Sequence, residues 1–280
     1  MQKGINIDSP SLSTHYLRMI PYGSDITMST GTGFLYEYEN EIFIITNGHN
    51  VTRTNPQLTQ RIINSAAFPI KIKSKVRAAY SENQNLYRLT DYFTVDLYED
   101  EDFKTPKWYV HPENEYLIDV IAIPLAKKDE IPAHIKYFPI NKFNFDRQFE
   151  PLVSDDVFIL GYPFDISDAL ELPIWKRGTI ATEPFFDIDK LPKFYVDTAS
   201  RSGMSGAPVI MRRNGLHGIG GDKLTGSEIF GAIQNFVGIY SGRIGADDEF
   251  KVQLGIVWKE KVIEEILAAR RIGNIDFQKV

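Results

Sequence analysis

The sequence predicts an all-β protein, a sandwich or barrel, closed by a single helix. Short runs rich in β-branched and aromatic residues recur along the chain, each bounded by Gly, Pro, Asn or Asp. Only one stretch, near residue 265, repeats its apolar residues at a helical spacing.

Taken in order, "EIFIIT" (Glu41–Thr46) reads as a strand. Lys71, Lys73 and Lys75 then alternate with Ile70, Ile72 and Val76, the period of a half-exposed strand with a solvated basic face rather than a phosphate-binding patch. "LIDVIAIPL" (Leu117–Leu125), "DVFILGY" (Asp156–Tyr162) and "KFYVD" (Lys193–Asp197) follow, and then "APVIM" (Ala207–Met211), "NFVGIY" (Asn235–Tyr240) and "VQLGIVW" (Val252–Trp258). In "KEKVIEEILAARRIG" the stripe is Val262, Ile263, Ile266 and Leu267. Arg270 and Arg271 in the last turn and Gly273 beyond it suit a helix C-terminus. Residues 50–60 and 212–228 read as long loops. The second holds five glycines but runs into more strand, so it reads as a surface hairpin; a phosphate cradle needs a helix N-terminus after it.

With 280 residues, 43% hydrophobic and 24% charged, the chain has the composition of an ordinary globular protein with a sizeable core. A net charge of -6 argues against nucleic acid as a partner. The absence of cysteine rules out disulfides and thiolate chemistry and suits a reducing compartment. "MQKGINIDSPSLSTHY" lacks the apolar core of a secretory signal. No run approaches the ~18 apolar residues of a membrane span. The expectation is a cytoplasmic protein with no membrane partner. "ADDE" (Ala246–Glu249) reads as a solvated acidic turn, and no metal or organic cofactor is implied.

The stretch "VDTASRSGMSGAPVI" (Val196–Ile210) crowds Ser205 with small residues, as a reactive serine on a tightly turned backbone would require. A serine hydroxyl is a weak nucleophile and needs a neighbouring base, usually a histidine steadied by a carboxylate. His15 lies in a polar arm, His111 and His134 stand beside prolines, and His217 lies in the glycine-rich loop. His49 comes directly off the apolar strand "FIITNGHNV", a rigid mounting. Asp119 sits inside "LIDVIAI", where a carboxylate is costly unless it is paired.

In the order His49, Asp119, Ser205, these residues resemble the triad of the chymotrypsin/trypsin-like serine peptidases. Gly203, Ser205, Gly206 and Pro208 match the family's Gly-x-Ser-Gly-x-Pro, with Ala207 where a second glycine is common. "TNGHNV" is similar to its histidine box and "DVIAI" to its aspartate strand. "DTASRSGMSGAP" resembles the bacterial Deg-type branch, "GTGFLY" (Gly31–Tyr36) its first strand, and "FVGIYSG" (Phe236–Gly242) its substrate-binding strand.

The resemblance implies two antiparallel six-stranded β-barrels forming one peptidase domain. Residues 1–24 are then an N-terminal arm, 25–135 the first barrel with His49 and Asp119, 145–258 the second with Ser205, and 259–272 the closing helix. It implies an endopeptidase acting through an acyl-enzyme on a protein or peptide substrate. Ser205 is the nucleophile, His49 the base, Asp119 its orienter, and the N–H groups of Gly203 and Ser205 the oxyanion hole. The specificity pocket falls on Ala199, Tyr240, Ser241, Gly242, Arg243 and Gly255, with Gly255 leaving room at its wall. Control by a partner protein stays open.

Two rivals remain. An α/β-hydrolase esterase needs a helix after its serine and then Asp before His; here a strand follows, and no acid lies between Ser205 and His217. A catalytically inactive module of the same fold that only binds protein is the other. The presence of all three triad residues and Gly203 argues against it.

Overall fold

The structure is a computed structural model that describes residues 7–56, 60–61, 67–81, 86–167, 170–199, 202–218, 226, 228–243 and 254–279. In chain order it forms α1 (Ser9–Ser13), β1 (Thr14–Pro21), β2 (Ser29–Tyr38), β3 (Glu41–Thr46), α2 (Gly48–Thr52), β4 (Pro69–Ser81), β5 (Leu86–Asp96), β6 (Tyr109–Val110) and β7 (Ile121–Lys127). The second half adds β8 (Asp156–Gly161), β9 (Ile174–Ile180), β10 (Lys193–Asp197), β11 (Pro208–His217), β12 (Ile229–Arg243), β13 (Leu254–Lys259), α3 (Lys261–Ala269) and β14 (Arg271–Ile272).

The described strands make two antiparallel units. The first is a curled sheet of order β14-β6-β7-β3-β2-β1-β4-β5: six long strands extended by the two-residue strands β6 and β14. The second is a closed six-stranded barrel, β10-β13-β12-β11-β8-β9. Closure leaves no exposed edge to template aggregation. The architecture is all-β and chymotrypsin-like, as expected.

One core lies inside the first sheet around Leu17, Met19, Leu35, Ile44 and Ile72, and a second fills the barrel around Val157, Val196, Met204, Val209 and Tyr240. A third joins the units: Phe34, Phe43 and Ile45 of the first pack with Ile210, Phe236 and Trp258 of the second. Helix α3 seals it with Val262, Ile263, Ile266 and Leu267, the expected stripe, all buried. Burying each such side chain contributes about 1.5–3 kcal/mol.

Several expectations need correcting. The segment expected as an N-terminal arm contains a strand: residues 14–21 form β1, paired with β2 on one side and β4 on the other, with Leu17 and Met19 fully buried. Arg18 and the polar Thr14 and His15 hide that strand from a pattern reading, and His15 is buried rather than in a polar arm. β9 was hidden likewise by Lys176, Arg177 and Gly178. Asp119 lies just before β7 instead of inside a strand. β11 is longer than expected: it stays paired with β12 out to His217, opposite Ile229, where a loop was expected from residue 212. Residues 219–225 and 227 of that hairpin, and Ala246–Glu249, lie outside the described residues. The left-handed residue ending α3 is Arg270, not Gly273.

Candidate active site

His49 is mounted by a change of secondary structure. β3 ends at Thr46, and the chain turns at once into the short helix α2. Gly48 lets Asp119 come close: a Cβ there would stand 3.3 Å from Asp119 Oδ1. His49 Nδ1 meets Asp119 Oδ2 at 2.6 Å, and the His49 main-chain N–H donates to Asp119 Oδ1 at 2.9 Å. Asn47 Nδ2 donates to the Asp119 carbonyl at 2.6 Å, fixing the backbone that carries the carboxylate. Ser241, from β12 of the other unit, donates its hydroxyl to Asp119 Oδ2 at 2.5 Å. Three donors thus converge on a carboxylate that is only 3% exposed, which answers the cost of burying it. Burial works against protonation of the His49 ring, but the charge of Asp119 and the hydrogen bond to it together hold its pKa above the usual histidine value.

The serine loop is built on two glycines in the left-handed region. Gly203 has φ +91°, and a Cβ there would lie 2.2 Å from the Tyr162 carbonyl oxygen. Gly206 has φ +87°, and its Cβ would lie 2.0 Å from the Thr32 carbonyl oxygen. No side chain fits at either place. The first unit pins this loop with β2. Thr32 N–H donates to the Ser205 carbonyl at 2.9 Å, and Thr32 Oγ1 to the Gly203 carbonyl at 2.7 Å. Asn50 Nδ2 donates to the Ser205 carbonyl at 3.2 Å and to Thr46 Oγ1 at 2.9 Å, and Thr46 Oγ1 donates to the Thr32 carbonyl at 2.7 Å. From behind, Gly206 N–H donates to the Tyr240 carbonyl at 3.0 Å. The loop's carbonyls at Gly203 and Ser205 are thus engaged, while the N–H groups of the same two residues are not. Among the described residues no hydrogen bond takes the N–H of Gly203 or Ser205.

His49, Gly203 and Ser205 line one cleft of about 400 Å³, together with Asn50, Arg53 and Ser202. Among the described residues no hydrogen bond joins Ser205 Oγ to His49. A larger cavity, about 910 Å³, lies elsewhere against Phe185, Phe194, Phe236 and Lys259, and no serine or histidine among the described residues lines it.

The other expected positions are partly brought in. Ala199 is exposed just beyond β10. Tyr240 is fully buried, and Ser241 is drawn to Asp119. Gly242 has φ +98°. The Arg243 backbone pairs with Gly255, while its side chain lies outside the described residues. Gly255 does not leave room: a Cβ there would meet Tyr240 Cε2 at 2.4 Å, so the ring already fills that space. Sequence reading missed the links made by Thr32, Thr46 and Asn50, because each depends on pairing between distant segments. His111 turns instead to Glu265 at 3.1 Å, His217 to the Gly231 carbonyl at 3.1 Å, and His134 is exposed.

No protein-family model and no curated protein matches this chain. Among solved structures it is similar to a serine endoprotease from Yersinia pestis, with 12% identity and a TM-score of 0.48 over 95% of this chain and 69% of that one. It is also similar to the active form of the Rv3671c protease from M. tuberculosis, with 16% identity and a TM-score of 0.45 over 95% and 83% of the two chains. A thermostable serine protease, AL20, from an extremophilic microorganism matches at 11% identity and a TM-score of 0.47, over 94% and 98%. The fold rests on the pairing order and closed barrel described above, not on likenesses this distant. No helix among the described residues is long and apolar enough to cross a membrane. The chain has a chymotrypsin/trypsin-like peptidase fold.

Proposed function

We propose that this protein is a serine endopeptidase with Ser205 as nucleophile, His49 as general base and then acid, and Asp119 as the group that orients it. The observation that carries the reading is the convergence on one cleft of a carboxylate-held histidine, a serine, and two N–H groups that have no partner among the described residues.

The chemistry follows from those positions. Asp119 on Nδ1 leaves Nε2 as the ring nitrogen free to take a proton. His49 removes the Ser205 proton as the hydroxyl attacks a peptide carbonyl. The oxyanion then forms against the N–H groups of Gly203 and Ser205; losing one such donor costs roughly 10²–10³ in rate. The imidazolium, steadied by Asp119, passes its proton to the leaving amine, and water later releases the acyl group by the same route. Catalytic hydrogen bonds are often long before substrate binds and tighten in the complex, so the open Ser205–His49 geometry is compatible with this role.

That same open geometry favours a second reading, a fold that binds peptides without cutting them. A fluorophosphonate probe separates the two. Labelling that is lost in Ser205→Ala means an activated serine; no labelling of the intact protein means a binder. For the enzyme, Ser205→Ala and His49→Ala each lower kcat by a factor on the order of 10⁶, and the double variant loses little more.

A further inference from the structure

Beside the candidate triad the cleft holds a cation that no side chain among the described residues neutralises. We propose that Arg53 is a carboxylate-binding residue on the leaving-group side of the cleft, selecting substrates with an acidic group shortly after the scissile bond. This inference rests on the peptidase reading of the same cleft.

Arg53 ends helix α2 in the left-handed region at φ 58°, its N–H donating to the His49 carbonyl at 2.9 Å. The residue is only 7% exposed, and it lines the cleft with His49 and Ser205. Its guanidinium offers five donors and stays charged at any ordinary pH. Among the described residues its side chain makes no hydrogen bond and no ion pair.

Elsewhere this chain treats arginine differently. Arg18 is paired with Glu171, Arg213 with Asp155, and Arg147 with Glu260. At Arg53 the charge felt from a neighbour is that of another cation, Arg61. Burial first, and the Arg61 charge second, press its pKa below the usual arginine value. The rest of the described wall is Met28, Ser29 and Thr30, so among the described residues no carboxylate lines the cleft; Asp165 is held by Thr30 Oγ1 at 2.6 Å. A buried, unpaired cation is costly, and an incoming anion removes that cost. The planar fork of arginine suits a carboxylate held through two bonds.

The side of the cleft follows from the chemistry. His49 gives its proton to the leaving amine, so the leaving half of the substrate passes along the His49 wall. Arg53 is one helical turn further on that wall. The carboxylate it meets there belongs either to an Asp or Glu side chain or to the free C-terminus of a short leaving peptide.

Two measurements test this. A proteome-derived peptide library, one half with free and the other with amidated C-termini, is digested by the intact protein, Arg53→Gln and Arg53→Lys, and the cut sites are read by mass spectrometry. The intact protein should enrich an acidic group within the first few leaving residues by ~10–100-fold over its amide counterpart, since each tenfold is 1.4 kcal/mol. Arg53→Gln should lose that ratio, and Arg53→Lys should keep part of it. Enrichment in both halves of the library identifies a side-chain carboxylate; enrichment only in the free half identifies the terminus. Identical profiles for the intact protein and Arg53→Gln overturn the proposal.

The second measurement does not need catalysis. Ser205→Ala is titrated with acetyl-Ala-Asp-Ala-amide, acetyl-Ala-Asn-Ala-amide and acetyl-Ala-Ala-Ala with a free carboxylate, while the Arg53 Nε–H resonance is followed by NMR. A shift with either carboxylate peptide and not with the Asn peptide supports the anion site even if no cleavage is ever found. Equal responses to all three overturn it. Failure of the peptidase reading would show in the first experiment and leave the second to decide.

Discussion

Ser241 donates its hydroxyl across the cleft to Asp119 at 2.5 Å, to the same oxygen, Oδ2, that His49 Nδ1 meets at 2.6 Å. One residue comes from the barrel and the other from the first sheet, so the orientation of the carboxylate records whether the two units are docked. A hydrogen bond to a charged group contributes about 1.5–3 kcal/mol. Ser241→Ala is expected to lower kcat about tenfold or more while the fold survives. Unchanged kcat in steady-state assays of a folded variant would remove Ser241 from the machinery.

The pH dependence has a definite sign. His49 must be neutral to act as a base, and Asp119 holds its pKa above the ordinary 6.5. The rise of kcat/KM with pH, which reports the free enzyme, is therefore expected to have its midpoint above 6.5. In Asp119→Asn the charge is gone and burial remains, so the midpoint should fall while the plateau drops steeply. The raised pKa also means that the folded protein binds this proton more tightly than the unfolded chain does. The pair's contribution to stability is thus complete below about pH 6.5 and is lost as pH rises through the folded value. Midpoints that coincide in the two proteins would contradict this.

Much of this was legible in the sequence where signals are local. Glycines at 203 and 206 announced a constrained turn, and the structure shows backbone oxygens where their side chains would be. The stripe at Val262, Ile263, Ile266 and Leu267 announced the helix, because period and burial agree there. What stayed hidden depends on segments far apart in the chain. Thr32 looks like any threonine in a strand until the pairing of β1, β2 and β3 delivers it to the serine loop. Arg53 looks like a loop residue until the end of α2 folds it into the cleft. β1 was missed because its neighbours on both sides, not its own pattern, bury it.

Thr32 supplies a direct test of how the serine loop is held. Thr32→Val keeps the shape and removes only the hydroxyl that donates to the Gly203 carbonyl at 2.7 Å. The lost bond should cost roughly 1 kcal/mol of stability and leave that carbonyl without its donor. kcat should fall more than KM changes, because the loop presents the oxyanion donors. Gly206→Ala is the harsher variant: with φ +87° and a Thr32 oxygen 2.0 Å from the new carbon, loss of both activity and cooperative unfolding is expected. A wild-type Tm for Gly206→Ala would mean that the loop is not held as described.

The N-terminal segment is expected to be structural and not a brake. Met204, before the serine, is fully buried and apolar, so it cannot form an ion pair with a freed amino terminus. β1 is fixed by its two neighbours; Trp175 Nε1 donates to Ser11 Oγ at 2.7 Å, and Tyr162 donates its hydroxyl to the Thr14 carbonyl at 3.1 Å. Removing residues 1–6, which precede all the contacts just named, should leave kcat/KM largely unchanged. Removing residues 1–21 should abolish folding, read by circular dichroism. Activity that appears only after the longer truncation would reverse this account.

The last prediction concerns the residue before the cut. By the resemblance to the trypsin-like family, the position that carries a carboxylate in members selecting Lys or Arg falls on Ala199, which offers a cation no partner. By the same resemblance, the position where glutamate-selective members place a histidine falls on Tyr240, so an anion would lack that partner too. Tyr240 is fully buried, and its ring occupies the space over Gly255, which removes volume that a bare glycine would have provided. The pocket is therefore expected to be uncharged and small, accepting Ala or Val before Leu or Phe. Each misfit contact should cost about 1–3 kcal/mol, or roughly 10–200-fold in kcat/KM. Tyr240→Val should widen the profile towards Leu and Phe without introducing charged residues, because it changes volume and adds no partner. Peptide-library profiling checks both proteins. A preference for Lys, Arg, Asp or Glu before the cut would overturn the pocket while leaving His49, Asp119 and Ser205 in their roles, and an unchanged profile in Tyr240→Val would show that the ring does not set the size limit.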